Sequence, residues 1–255
     1  LRKELAIETV DLTIGYNGMP VIENINLRVE EGDFYGLIGP NGGGKTTLLR
    51  GILGLLRPIR GEVRVFGKGP RVGRRYIGYV PQFAIYDRDF PISVEEVVLM
   101  GRRPRRGSRP FYSEEDRKAA EEAMEQMRIL HLRDTRLSEL SGGQRQRAYV
   151  ARALASKPRI LLLDEPTASI DPQTSLGTYD LLKKLNDEIT IVVVTHDIGV
   201  ISSYVSKVGC LNRHLFTHED RFITRDMLEK SYTCPVDLVA HGLPHRVLAE
   251  HDEEE

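Results

Sequence analysis

Residues 39 to 47 read Gly-Pro-Asn-Gly-Gly-Gly-Lys-Thr-Thr, the spacing G-x-x-x-x-G-K-[ST], set after an apolar run and before a helical one. That arrangement can hold phosphate. Backbone amides from Gly42 to Thr46 can curl round phosphate oxygens only where no Cβ intrudes, and a helix start adds a favourable dipole. Lys45 can reach the β- and γ-phosphates, and the Thr46 hydroxyl can hold magnesium. The candidate nucleotide contacts here are Gly39, Asn41, Gly42, Gly43, Gly44, Lys45, Thr46 and Thr47.

Two more stretches carry reactive groups. Ile160 to Thr167, "ILLLDEPT", ends a buried-type strand in two carboxylates, where an open α/β sheet places its ligands. Asp164 would hold magnesium through water, and Glu165 would orient and deprotonate an attacking water, since phosphoryl transfer needs an in-line nucleophile. Standing alone, Asp-Glu before Pro166 could equally cap the next helix; the phosphate loop upstream favours catalysis. Ser141-Gly142-Gly143-Gln144 makes a second anion-binding helix start. One nucleotide does not obviously need both.

The elements that must position these groups are legible in the hydropathy pattern. The first thirty residues alternate polar and apolar, broken by "GYNG", which predicts an antiparallel sheet with one buried face. From "FYGLIG" onward the runs are continuously apolar and β-branched, as in parallel strands buried on both faces. Helical patterns separate them, so an α/β core is expected. Residues 92 to 156 read as a helical insertion. It holds "SVEEVVLMG", a helix opened by a capping box from Ser113 to Asp116, and the helix after Ser141.

Composition excludes several classes. With 36 basic and 37 acidic side chains there is no overall positive field to hold a nucleic-acid backbone. Two cysteines cannot build a disulfide framework, and no charged-then-apolar leader is read at the start, so a reducing cytoplasm is the expected compartment. The apolar runs at 160 and 191 are far shorter than the roughly 18 residues of a spanning helix. Any membrane role is therefore expected to be peripheral.

The phosphate loop, "LSGGQ" at 140 to 144, "ILLLDE", Gln82 in "YVPQ", "ASID" at 168 to 171 and His196 in "VVTHD" stand in the motif order of the ATP-binding subunits of ABC transporters, and the chain resembles that family from end to end. The resemblance implies an α/β P-loop NTPase core with a mostly parallel sheet, an N-terminal antiparallel β subdomain and a helical insertion. The expected division is 1–91 with 157–215 as the nucleotide-binding core, 92–156 as the helical subdomain, and 216–255 as a C-terminal extension. It further implies ATP and magnesium, and an ATP-induced head-to-tail homodimer. In that dimer the loop of one copy and Ser141, Gly142, Gly143 and Gln144 of the other enclose each ATP. Tyr16 would stack on adenine, Gln82 would sense magnesium and the membrane partner, Asp171 would brace the dimer seam, and His196 would contact the γ-phosphate. Gly43, where serine or alanine is common, and Ile170, where leucine is usual, are mild departures.

Too short for a repair or tandem translation ATPase and without spans of its own, the chain is expected to be a separate subunit docking on an integral membrane permease at the cytoplasmic face of the membrane. "DRDFPISVEEVVLMGR", "CLNRHLF" and "CPVDLVAHGLPHRVL" resemble the subgroup serving zinc, manganese or iron(II) importers, which implies an extracytoplasmic metal-binding protein in the same system. Phe90, Pro91 and Val94 are candidates for an apolar ridge against the permease, or for packing inside the insertion. The five arginines of "GRRPRRGSRP" are candidates for anionic lipid headgroups, or for a solvated loop. The competing readings are a soluble ABC ATPase with a non-transport partner and a metal-sensing module built on Cys210, His214, His218, Cys234, His241, His245 and His251. "KVGCLNRHLFTHE" reads as a hairpin with Cys210 buried beside Val208, and no C-x-x-C or H-x3-H helix presets tetrahedral geometry. No tightly held zinc is expected.

Overall fold

A computed structural model of the chain describes residues 4–82, 90–103, 111–166, 172–196 and 203–218. The fold divides into two compact units, Leu1–Arg71 with Val194–Glu255, and Val72–Val193.

In the first unit, β1 (Leu5–Tyr16) pairs antiparallel with β2 (Met19–Ile25), with Tyr16 opposite Met19. Asn17 and Gly18 make the turn with φ of 51° and 78°, the doubly positive geometry whose twist suits a two-residue hairpin. β3 (Arg28–Glu30) and β5 (Arg60–Val65) also run antiparallel to β1. Between β2 and β3, the buried Thr9 hydroxyl donates to the Ile25 carbonyl at 2.8 Å and accepts the Leu27 amide at 2.9 Å, so both of these backbone groups are paired. This is the antiparallel subdomain the alternation predicted.

β4 (Phe34–Ile38) is buried at every position and lies parallel to β9 (Lys207–Asn212), with Gly36 opposite Val208 and Ile38 opposite Cys210. β10 (His214–His218) folds back antiparallel on β9. The hairpin was legible, and Cys210 is indeed fully buried. The alternation argument for it was incomplete, because Val208, Gly209, Cys210 and Leu211 are all buried; β9 is covered on both faces. α1 (Lys45–Ile52) follows β4 through the phosphate loop.

The second unit holds β6 (Ile77–Val80) parallel to β7 (Ile160–Asp164) and the fully buried β8 (Thr190–Val194). A short turn of helix, α2 (Pro70–Gly73), precedes β6. Three helices start on reciprocal caps: α3 (Val94–Leu99) on Ser93 and Glu96, α4 (Glu114–Gln126) on Ser113 and Asp116, α5 (Gly142–Ala155) on Ser141 and Gln144. Each box satisfies two amides that a helix start otherwise leaves unpaired. Ala119, Ala120 and Ala123 of α4 and Ala148, Ala151 and Ala155 of α5 are buried, and these small faces let the two helices pack closely. α6 (Pro172–Leu185) completes the described helices.

Two expectations need correction. Arg102 is not a loop arginine: it is 4% exposed, its Nε donates to Asp116 at 2.7 Å and its Nη1 to the Ala155 carbonyl at 3.0 Å. The guanidinium ties the end of α3 to the start of α4 and the end of α5. Its hydrogen bond, with the Ser113 amide, holds the Asp116 carboxyl down at about 2. Arg105, Arg106 and Arg109 lie outside the described residues. The apolar ridge is also shorter than expected. Phe90 is 59% exposed, but Val94 is fully buried, because it opens the face of α3 that continues through Val97 and Val98 into the core.

Candidate functional site

The phosphate loop is shaped by close neighbours within the first unit. Gly44 caps α1 with φ of 96°, a left-handed conformation that a side chain resists, and a Cβ there would meet Ile22 Cγ2 of β2 at 2.2 Å. Gly43 faces the opposite neighbour: a Cβ on it would lie 2.8 Å from the Leu211 carbonyl of β9. The departure from serine or alanine at Gly43 thus has a physical reason, the approach of the β9–β10 turn. The Arg213 amide donates to the Gly43 carbonyl at 3.2 Å.

Lys45 is 6% exposed and its ammonium donates to the carbonyls of Gly39 at 2.8 Å and Pro40 at 3.0 Å. The loop therefore carries a buried cation on its inner side together with the start of an eight-residue helix, the electrostatics that favour an anion. The Gly44 amide has no hydrogen-bond partner among the described residues. Thr47 is buried and Thr46 partly exposed. A phosphate fits this donor set.

Tyr16 ends β1 with 40% of its surface exposed. Its hydroxyl accepts from Arg50 Nη1 at 2.8 Å, which ties the ring to the helix that begins with Lys45. Thr195 donates its amide to the Leu37 carbonyl at 3.1 Å, so exposed His196 stands level with the end of β4, the strand that feeds the loop.

In the second unit the buried Asp164 ends β7 and Glu165 follows it with φ of 47°. A glutamate in left-handed backbone is uncommon and marks a position set by its surroundings. Gln82, just past β6, donates from Nε2 to Glu165 Oε2 at 3.1 Å. Adjacent parallel strands β6 and β7 explain the meeting, since both residues emerge beyond their carboxyl ends. At the start of α5, the Ser141 amide donates to Gln144 Oε1 at 3.0 Å and the Gln144 amide to Ser141 Oγ at 3.3 Å. Gly143 is buried beneath them. Asp171, Cys234, His241, His245 and His251 lie outside the described residues.

Within the first unit, then, the structure ties Tyr16 through Arg50 to α1, the helix that follows the phosphate loop, and within the second it joins Gln82 to Glu165 and Ser141 to Gln144. The brace of the loop by Leu211 and Arg213 was not read from the sequence. Its one signal was the third consecutive glycine. Among the described residues no group of three or more His, Cys, Asp or Glu side chains is clustered to hold a metal ion.

Comparison with known proteins places these features in a family. Residues 22–168 match the family model described as ABC transporter. The chain is 41% identical over 220 residues to a protein of Chlamydia trachomatis described as a probable metal transport system ATP-binding protein, covering 86% of this chain and 93% of that one. It is 38% identical over 238 residues to the manganese transport system ATP-binding protein MntB of Listeria monocytogenes, covering 92% and 99%. A solved structure described as a metal-chelate type ABC transporter in an inward-facing conformation superposes with a TM-score of 0.81 at 32% identity over 91% of this chain and 90% of that one. A dimeric ATP-binding cassette in a post-hydrolysis state, bound to ADP and Pi, superposes with a TM-score of 0.67 at 31% identity over 83% and 97%.

Proposed function

The chain belongs to the ABC transporter family and is an ATPase of that family, and from that premise we propose that it energises import of a divalent metal ion, zinc, manganese or iron(II), through a separate membrane permease. The observation that carries the metal reading is the near full-length similarity to metal-transport ATP-binding proteins. No described helix is long and apolar enough to cross a membrane. The similarity to separate ATP-binding proteins of transport systems supports a spanning part carried by another chain, with this subunit peripheral at the cytoplasmic face.

The proposed roles join the chemistry of the phosphate loop, Asp164 and Glu165 to what the family resemblance implies for Tyr16, Gln82, Ser141 to Gln144, Asp171 and His196. Tyr16 stacks on adenine, the amides of the loop from Gly39 through Asn41 to Thr47 take the phosphates, and Lys45 neutralises the β- and γ-phosphates. Glu165 orients and deprotonates the attacking water while His196 contacts the γ-phosphate. Thr46, Gln82 and Asp164 would hold magnesium, which when bound supplies charge neutralisation on the phosphate oxygens. Ser141 to Gln144 contact the ATP held by a second copy, and Asp171 braces the seam of that head-to-tail pair. Residues 92–156 form the subdomain presented to the permease, with 1–91 and 157–215 as the nucleotide-binding core and 216–255 as an extension.

The docking surface we assign to the permease lies in the second unit. A cavity of about 710 Å³ is lined by Arg74, Arg75, Tyr76, Gly78, Met100 and Arg152, among others. No lining residue is acidic. Arg152 stacks on Tyr149 at 5.3 Å and is partly desolvated, which pulls its proton affinity down. A cavity lined by three arginines and no carboxylate suits a short segment bearing carboxylates, with exposed Met100 giving apolar contact. Affinity purification from detergent-solubilised membranes tests the reading. A multi-span membrane protein is expected, in amounts reduced by Arg74→Glu with Arg75→Glu; recovery of soluble partners alone would favour a non-transport ATPase.

A further inference from the structure

The C-terminal hairpin contributes no residue to any of the roles above, yet its turn rests on the phosphate loop. Arg213 sits at that turn with φ of 59°, a left-handed conformation, and its amide donates to the Gly43 carbonyl at 3.2 Å. A peptide unit is planar and trans, so its carbonyl and its N–H point in opposite directions. Fixing the Gly43 carbonyl toward Arg213 therefore aims the Gly44 amide away from the hairpin. That amide has no partner among the described residues and lies at the N-terminus of α1, where the loop would take a phosphate oxygen.

The turn is itself braced. Arg213 Nη2 and Nε donate to Glu23 Oε1 at 2.6 and 3.1 Å, the Glu23 amide donates to the Arg213 carbonyl at 2.9 Å, and His214 Nδ1 lies 3.2 Å from the Glu23 carbonyl. Glu23 belongs to β2, whose Val21 and Ile22 border Gly44 on its other side. β2, the hairpin turn and the phosphate loop thus form a closed ring inside one unit. The ring closes only because Gly43 has no Cβ to push the Leu211 carbonyl away.

We propose that Arg213 and Glu23 are positioning residues for nucleotide binding: through the Arg213 amide they hold the Gly43–Gly44 peptide in the orientation that presents the Gly44 N–H to phosphate. Neither touches the nucleotide. The Glu23–Arg213 pair is exposed, with side chains 30% and 62% accessible, and such pairs add little to stability. Its loss should act on the loop and leave the fold intact.

The inference rests on residues 39–47 being the nucleotide site, and a Lys45→Ala control separates the two claims: if that variant binds ATP as wild type does, the site reading fails first. The decisive protein carries a backbone ester at residue 213, the α-hydroxy analogue of arginine replacing the amide N–H with oxygen. Fluorescent ADP and ATP titrations should show affinity down about tenfold, as expected when the released Gly43–Gly44 peptide no longer donates its Gly44 N–H to a charged phosphate oxygen, with kcat at saturating ATP within about twofold and the melting temperature within experimental scatter. Glu23→Ala should lose about threefold and Glu23→Gln should restore most of it; the Gly44 ¹⁵N–¹H resonance should lose its downfield shift on ADP binding in the ester protein and in Glu23→Ala, and keep it in Glu23→Gln. Unchanged nucleotide affinity in the ester protein would overturn the proposal, and so would a fall in affinity that tracks a fall in melting temperature across the variants.

Discussion

Gln82 donates its side-chain amide to the Glu165 carboxylate across 3.1 Å, although 83 residues separate them in the chain. The contact links the end of β6 to the carboxylate proposed as the base, on a residue whose backbone is left-handed with φ of 47°. Exposed Gln82 thereby couples the residues just beyond β6 to the Glu165 carboxylate.

Glu165→Gln preserves shape and can still accept from Gln82 through its amide oxygen, but it cannot take a proton. Turnover should fall by roughly 10²- to 10⁴-fold, with ATP affinity nearly unchanged. Gel filtration with ATP and magnesium should show a trapped dimer; a monomer with ATP demonstrably bound would count against the two-copy arrangement.

Tyr16 separates stacking from anchoring. Tyr16→Ala should raise KM for ATP about tenfold, the scale of one lost aromatic stack on a base. Tyr16→Phe keeps the ring and loses only the hydrogen bond from Arg50, so its KM should stay within about threefold of wild type. Equal effects from both would show that the hydroxyl, not the ring, matters.

Asp116 gives a pH signature. Its folded-state value, about 2, lies below the ordinary carboxylate value, so its contribution is fully present above about pH 4 and is lost as pH falls through about 2. Asp116→Asn leaves Arg102 buried without its counter-charge and should cost about 3–5 kcal/mol near neutrality. The gap between denaturant melts of the two proteins should narrow by about 2 kcal/mol as the pH approaches 2; a constant gap would mean that packing, not charge, sets the cost.

Shared sites can be counted by mixing. Lys45→Ala and Ser141→Arg should each be inactive as homodimers. In a mixed dimer one composite site carries both lesions and the other carries neither, so ATPase activity should reappear on mixing. Absence of recovery would mean that sites are not shared or that both must fire together.

Much of this was readable because the informative segments obey local rules. Periodicity distinguished the alternating β1 and β2 from the fully buried β4, β7 and β8, and the box at Ser113 and the cap at Ser141 depend only on residues close in sequence. The rest depends on distant chain segments meeting. Arg102 looks like a member of a basic loop until Asp116 and the Ala155 carbonyl surround it. Cys210 lies in a strand covered on both faces, so alternation could not explain its burial. Leu211 and Arg213 are ordinary strand and turn residues in sequence, and only the register of β9 against β4 carries them to Gly43. The Gln82–Glu165 bond likewise follows from β6 and β7 being neighbours, which no local pattern states.

ATP-driven metal movement is the central claim, and reconstitution measures it most directly. The subunit and its co-purified permease would be placed in proteoliposomes oriented with the subunit accessible to added ATP, and flux of zinc, manganese and iron(II) tracers followed. Transport of at least one of these ions should require ATP and magnesium and should fail with Glu165→Gln. Hydrolysis by the intact complex with no ATP-dependent flux of any of the three would contradict the account.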